Sequence, residues 1–339
     1  MNTNLSRIRP AERGVLAPGR WLWPRATVWM LVLFAVTTLA FFASFQLSDW
    51  FPGFKGHGYA VAILIPVAML LLYAGAVRLW EHRAVTEFAL SKAPLELIAG
   101  AAIGFAFITL VLLLLWALGL YSVAPGHWQH AFRYLVFNAY VSAMLEELAF
   151  RAILLRIFAR MFGPMAGLVI SAALFGLAHA SHASPVAIAE LVINGGMFLG
   201  LIYVVSGRLW LAIGAHVAYD FTEWSLMGVG DKDGLLAVAP VPGHPAWLTG
   251  GEFGPDGSVL AAVVGVLLIA AILAYSRRSN ARRCQSRHHR HRWPSTSPRR
   301  GPSPPSPTRV DRANERDARA CRDARAIPSI DAEHLGNLP

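Results

Sequence analysis

The stretch LIAGAAIGFAFITLVLLLLWALGLY, residues 97–121, contains no charged side chain and exceeds the ~20 apolar residues that cross a bilayer. A helix that is apolar on every side has no face to turn to water, so this segment predicts a span in lipid. Comparable runs recur at residues 27–47, 58–80, 132–158, 164–182, 186–206, 209–228 and 258–276, which a single cleaved leader cannot explain. Hydrocarbon offers no partners to open backbone groups, so every span is expected to be a helix. The expected fold class is all-α: a polytopic transmembrane helix bundle of about eight spans.

Composition agrees. Of 339 residues, 55% are hydrophobic and 15% are charged, too few polar side chains to coat a water-soluble globule. The net charge of +10 gathers in the N-terminal arginines, in short connections and after Tyr275. That distribution points to orientation and contact with membrane lipids, and no soluble module is present to bind nucleic acid. Both cysteines, Cys284 and Cys321, lie in the polar C-terminal tail, which leaves no disulfide framework and no Cys-based metal site.

Arg7, Arg9, Arg13, Arg20 and Arg25 precede the first span and place the N-terminus in the cytoplasm. Alternation then assigns Arg78, Arg83, Lys92, Arg156, Arg160, Arg208, Arg277 and Arg278 to inside connections, so both termini are expected inside. The chain divides into a basic N-terminus (1–25), a bundle (26–276) and an Arg/Pro/Ser-rich tail (277–339) expected to be disordered. The Gly- and Pro-rich segment 228–257 reads as a solvated outside loop without chemistry. Arg/Ala/Gly-rich usage and short loops suggest a bacterial inner membrane.

Ionisable residues inside spans are the informative ones, because each costs ~2.5–3.5 kcal/mol on insertion scales. The fourth span carries the adjacent acids Glu146 and Glu147, followed by Arg151. Glu147 and Arg151 stand four apart on one helical stripe and can pair, while Glu146 is turned about 100° away and is free to face a cavity. The fifth span ends in His179, a candidate ligand or base, or else a C-terminal cap. In the seventh span, His216 and Asp220 again stand four apart. Asp220 could fix the tautomer of a metal-binding His216, both could line an oxyanion site, or the pair could be an interhelical clamp. Glu190 and Asn194 share a face of the sixth span beside Gly195, Gly196 and Gly200, and Glu190 could simply favour a helix N-terminus.

The Glu146-Glu147 doublet with Arg151, Phe175 with His179, and His216 with Asp220, in that order on separate spans, resemble the CPBP family of intramembrane proteases. That family includes type II CAAX prenyl endopeptidases and Abi-type proteins. Gly196, Gly200, Tyr203, Gly207, Leu209 and Ile213 resemble its glycine-punctuated helix pair, and the resemblance covers roughly residues 90–228. Asp220 departs from the Asn of the prenyl-protease members. An ionised Asp would repel an oxyanion and suits the orienting of His216 better.

The resemblance implies an endopeptidase that hydrolyses a membrane-associated protein or peptide without an acyl-enzyme, with Glu146 as general base and His179 helping to bind the water. Glu146, His179 and His216 could also hold a divalent metal such as zinc, with a position open for water. Two rivals remain: a non-catalytic immunity or scaffold protein of the same fold, and a proton-coupled transporter, for which no inverted repeat is visible.

Overall fold

A computed structural model describes residues 6–8, 11–50, 57–129, 131–181, 183–229 and 234–290. The described residues fall into two units: Ser6–Ala271, which holds the helix bundle, and a second whose described part is residues 272–290. Eight long helical segments form where eight spans were expected: α1 (Leu22–Trp50), α2 (His57–Trp80), α3 (Ala93–Ala117), α4 (131–162), α5 (Pro164–Ala178), α6 (Pro185–Ser206), α7 (210–226) and α8 (Val259–Arg290). Among the described residues, five segments are long and apolar enough to cross a membrane: Leu22–Gln46, Tyr59–Trp80, Thr86–Ala117, Pro185–Ser206 and Val259–Ser279. Of the other three, α5 is apolar but short, while α4 and α7 carry the acids and histidines that lower their hydropathy.

Large apolar side chains remain exposed along the outer helices, among them Leu39, Leu72, Leu95, Ile98, Val263 and Leu267. In water such a surface would aggregate; in lipid it is solvated, and the chain is an integral membrane protein.

Local signals set the helix ends. Pro94, Pro164 and Pro185 stand in the first turns of α3, α5 and α6, where a missing N–H is harmless. The Ser184 side chain caps α6 by accepting from the Ala187 N–H at 3.2 Å. Between α4 and α5 a single residue, Gly163, turns the chain at φ +91, a backbone state that L side chains avoid.

Helix α3 packs against α7 at backbone distance. A Cβ on Gly100 would strike the Leu211 carbonyl, one on Gly104 would strike Ala215, and one on Gly214 would strike Leu97. Small residues four apart let two helices approach this closely where lipid supplies no hydrophobic drive. The contact fixes the helix that carries His216 and Asp220.

Three features depart from the sequence reading. A two-stranded antiparallel sheet, β1 (Tyr121–Pro125) against β2 (Leu236–Pro240), pairs Tyr121 with Pro240 and gives residues 234–257 of the expected loop a defined course. Helix α8 continues to Arg290, past the expected bundle limit at 276, so residues 277–290 of the tail are helical; the rest of the tail lies outside the described residues. Arg156, expected in a solvated connection, is 2% exposed inside α4. Its guanidinium pairs both oxygens of Glu81 at 2.7 Å, and Arg83 adds a 2.8 Å contact to Glu81 and pairs Glu87. Burial alone would raise the Glu81 carboxyl, but Arg156, Arg83 and the Trp29 indole hold it below its usual value.

Candidate active site

Helix α4 widens into π-helical turns at Tyr134–Val141 and Glu147–Leu155, as do α6 at Val192–Phe198 and α7 at Thr222–Leu226. Such turns concentrate at functional sites, because the extra residue re-aims side chains without ending the helix. Here they flank the positions that face inward.

The two adjacent acids of α4 have separate surroundings. Glu147 is fully buried, and its Oε1 lies 3.1 Å from an Arg151 guanidinium nitrogen and 3.0 Å from His216 Nδ1. Glu146 keeps 13% of its side chain exposed; its Oε1 accepts a 2.7 Å hydrogen bond from the Ser142 hydroxyl, and its Oε2 stands 3.9 Å from His216 Nε2. Asp220 Oδ2 approaches the same Nε2 at 3.7 Å. Three carboxylates from two helices thus surround one imidazole.

A carboxylate can only accept, so the Nδ1 facing Glu147 carries the proton and Nε2 is turned toward Glu146 and Asp220. The tautomer partner is therefore Glu147, where the four-residue spacing pointed to Asp220. A spacing argument sees only neighbours on one helix, and Glu147 reaches His216 from another.

Arg151 is 1% exposed. Besides Glu147 it donates to the Gly195 carbonyl of α6, and its guanidinium lies over the Phe175 ring, 4.7 Å from the centroid. Gly195 permits this, since a Cβ there would collide with that ring. Phe175 in turn neighbours both histidines, with ring centroids 5.1 Å from His179 and 6.3 Å from His216. The His179 Nδ1 stands 2.9 Å from the Phe175 carbonyl, as expected of a residue capping α5.

Glu146, His179, His216 and Asp220 all line one cavity of about 970 Å³ inside the bundle. Phe34, Phe41 and Phe45 of α1 form an aromatic wall. The remaining acids are Glu190, Glu223, Glu252 and Asp256, and no Lys or Arg appears among the described lining residues. Tyr219 donates to Asp256, and Asn194 donates to both Glu190 and the Ala261 carbonyl. Burial pushes the Asp256 carboxyl up to about 6, against the opposing pull of the Tyr219 hydroxyl and Glu223.

The sequence reading missed Glu223, Glu252 and Asp256. Glu223 follows Asp220 by three residues on the same helix, a usable signal, whereas Glu252 and Asp256 sit in a Gly/Pro-rich connection that looks solvated and returns to the cavity only in three dimensions. Glu190, left open between site and helix end, is 1% exposed and lines the cavity.

The expected metal trio does not assemble. Glu146 and His216 are neighbours, but among the described residues no three His, Cys, Asp or Glu side chains form a group that could hold a metal ion. His179 lines the same cavity and neighbours the Phe175 ring. This donor set does not fit a three-ligand centre.

Comparison with known proteins agrees with the geometry at one level. Residues 127–222 match the family model described as type II CAAX prenyl endopeptidase Rce1-like, and the match contains all six expected site residues. No curated protein and no solved structure matches the chain. Over residues 127–222 the chain is therefore similar to the CAAX-type intramembrane proteases of the CPBP family, and the match supports membership of that family.

Proposed function

We propose that this protein is an intramembrane endopeptidase that hydrolyses a peptide bond of a membrane-associated protein or peptide. The observation that carries the reading is the setting of His216, held at Nδ1 by Glu147 and facing Glu146 across its Nε2 in a large, partly open cavity.

In this reading a water is held between Glu146 Oε2 and His216 Nε2, whose 3.9 Å separation suits a bridging molecule. Glu146 takes a proton from that water as its oxygen attacks the substrate carbonyl, then returns the proton to the leaving nitrogen. Ser142 fixes the other Glu146 oxygen, so the basic lone pair stays aimed at the cavity. Glu147 and Arg151 are positioning residues: they hold His216 and tie α4 to α6. Asp220, 3.7 Å from Nε2, lies on the same helical face as His216. His179 lines the same cavity and is suited to donate toward oxygen charge in the tetrahedral intermediate. The aromatic wall from α1 receives an apolar stretch of substrate.

The test is cleavage of membrane-peptide libraries by purified protein in detergent, comparing wild type with Glu146→Ala and His179→Ala at matched folding. Loss of a general base is expected to lower the rate by about 10²- to 10⁴-fold. Cleavage by both variants at the wild-type rate would sink the proposal.

A further inference from the structure

Helix α7 has a second side. Gly214 and Ala218 lie two residues from His216 in either direction, about 200° around the helix, and with Val217 they line another cavity of about 720 Å³. Leu70 of α2, Leu97 of α3 and Met144 of α4 are among its other walls. This groove shares no lining residue with the candidate active site.

Its chemistry is almost uniformly apolar, and its few polar groups divide into two kinds. The Tyr140 hydroxyl donates to the Ile63 carbonyl at 3.1 Å and the Trp210 indole N–H to the Ala89 carbonyl at 3.2 Å, so both are satisfied by backbone. Arg78, in the last turn of α2, is exposed and makes no hydrogen bond or ion pair among the described residues. The groove therefore presents a long apolar trough with one uncommitted cation at its end.

Dimensions select among occupants. Along α2 the lining runs from Val67 to Arg78, about 16 Å at ~1.5 Å per residue, and Arg78 stands where α2 reaches its end at Trp80. A transmembrane segment of a partner would need the full ~30 Å of hydrocarbon. Half that depth, closed by a cation at the interface, matches an amphiphile confined to one leaflet. A guanidinium there favours a phosphate, which it can meet with two parallel N–H donors.

We propose that this groove binds the acyl chain of one anionic phospholipid, with the headgroup phosphate paired to Arg78. The site is distinct from the peptide cavity and does not depend on the chain being a protease.

Native mass spectrometry of the full chain decides the matter. The protein is stripped of lipid in mild detergent and titrated separately with phosphatidylglycerol and with phosphatidylcholine of the same acyl chains. One phosphatidylglycerol is expected to bind at least about five-fold more tightly than phosphatidylcholine, the margin that a single interfacial arginine supplies. Arg78→Gln should level the two lipids while leaving chain-dependent binding in place, and Ala74→Trp, which fills the trough, should weaken both. Equal affinities in the wild type, or a preference that survives Arg78→Gln, would overturn the proposal. Tighter binding of an uncharged isoprenoid would also overturn it. Arg78 is exposed and unpaired, so its variant is expected to fold, and if Ala74→Trp does not, the Arg78→Gln comparison decides alone.

Discussion

The Glu147 carboxylate on α4 and the His216 imidazole on α7 meet at 3.0 Å, although 69 residues separate them in the chain. Glu147 also pairs Arg151, so it cannot turn away from the imidazole without leaving a buried guanidinium unpaired. Glu147→Gln should preserve the shape of the site but present an amide that can donate to Nδ1, admitting the wrong tautomer. A fall in kcat of about 10²- to 10⁴-fold is expected, with KM little changed and an altered pH profile. An unaltered pH profile alongside reduced yield of folded protein would mean a structural role only.

Glu81 and Arg156 form a bidentate pair at 2.7 Å with both side chains almost wholly buried. Glu81→Gln leaves a charged, buried Arg156 with the Ala152 carbonyl and, at 4.0 Å, Glu87 as its polar partners, and stability should fall by about 3–5 kcal/mol. Thermal unfolding in detergent measures this, and residual activity per folded molecule should stay near that of the wild type, since the pair lies outside the cavity lining.

Asp256 gives stability a pH dependence of defined sign. Its folded value of about 6 exceeds the ordinary 3.8, so the folded state binds the proton more tightly than the unfolded chain. The destabilising contribution is absent below about 4, grows as pH rises from 4 to 6, and is fully present above 6. Unfolding midpoints should therefore decline over that window in the wild type, and the decline should flatten in Asp256→Asn.

Gly195→Ala would drive a methyl into the Phe175 ring. Because that ring carries Arg151 on one face and neighbours both histidines, the clash should cost about 1–3 kcal/mol and also reduce turnover. Gly200→Ala, which meets only the ends of the Leu168 and Leu155 side chains, should be milder on both counts.

With no trio of ligands gathered at the site, cleavage should continue after exhaustive chelation. Metal analysis of the same preparation provides the check. Activity that disappears with the metal and returns with zinc would require a different water-activating group.

Much of the bundle was legible in the sequence because lipid imposes a simple rule: a backbone without water must be helical, and each run of apolar residues reports one span. The eight observed segments follow those runs. Charge positions were less transparent. Arg156 reads as an inside anchor from its spacing to the next span, but Glu81, 75 residues earlier, draws it into the interior. Glu146, Glu147 and Arg151 could be separated into two surroundings from helical period alone. The Glu147–His216 contact could not, since period says nothing about which helices become neighbours. Asp256 was hidden for another reason: a Gly-Pro-Asp-Gly connection has the composition of a solvated turn, and only the course of segment 234–258 brings it under α7.

The sign of the cavity's charge limits what can enter it. Its described lining offers carboxylates and imidazoles but no lysine or arginine, and Arg151 stands behind Glu147, already engaged. A polypeptide's free C-terminal carboxylate would find no lysine or arginine counter-ion there. Such a chamber disfavours trimming from a chain's last residue and favours bonds within a segment whose nearest charge is positive or absent. Phosphate-bearing and acidic inhibitors should, for the same reason, be poor ligands, and cationic peptide mimics better ones.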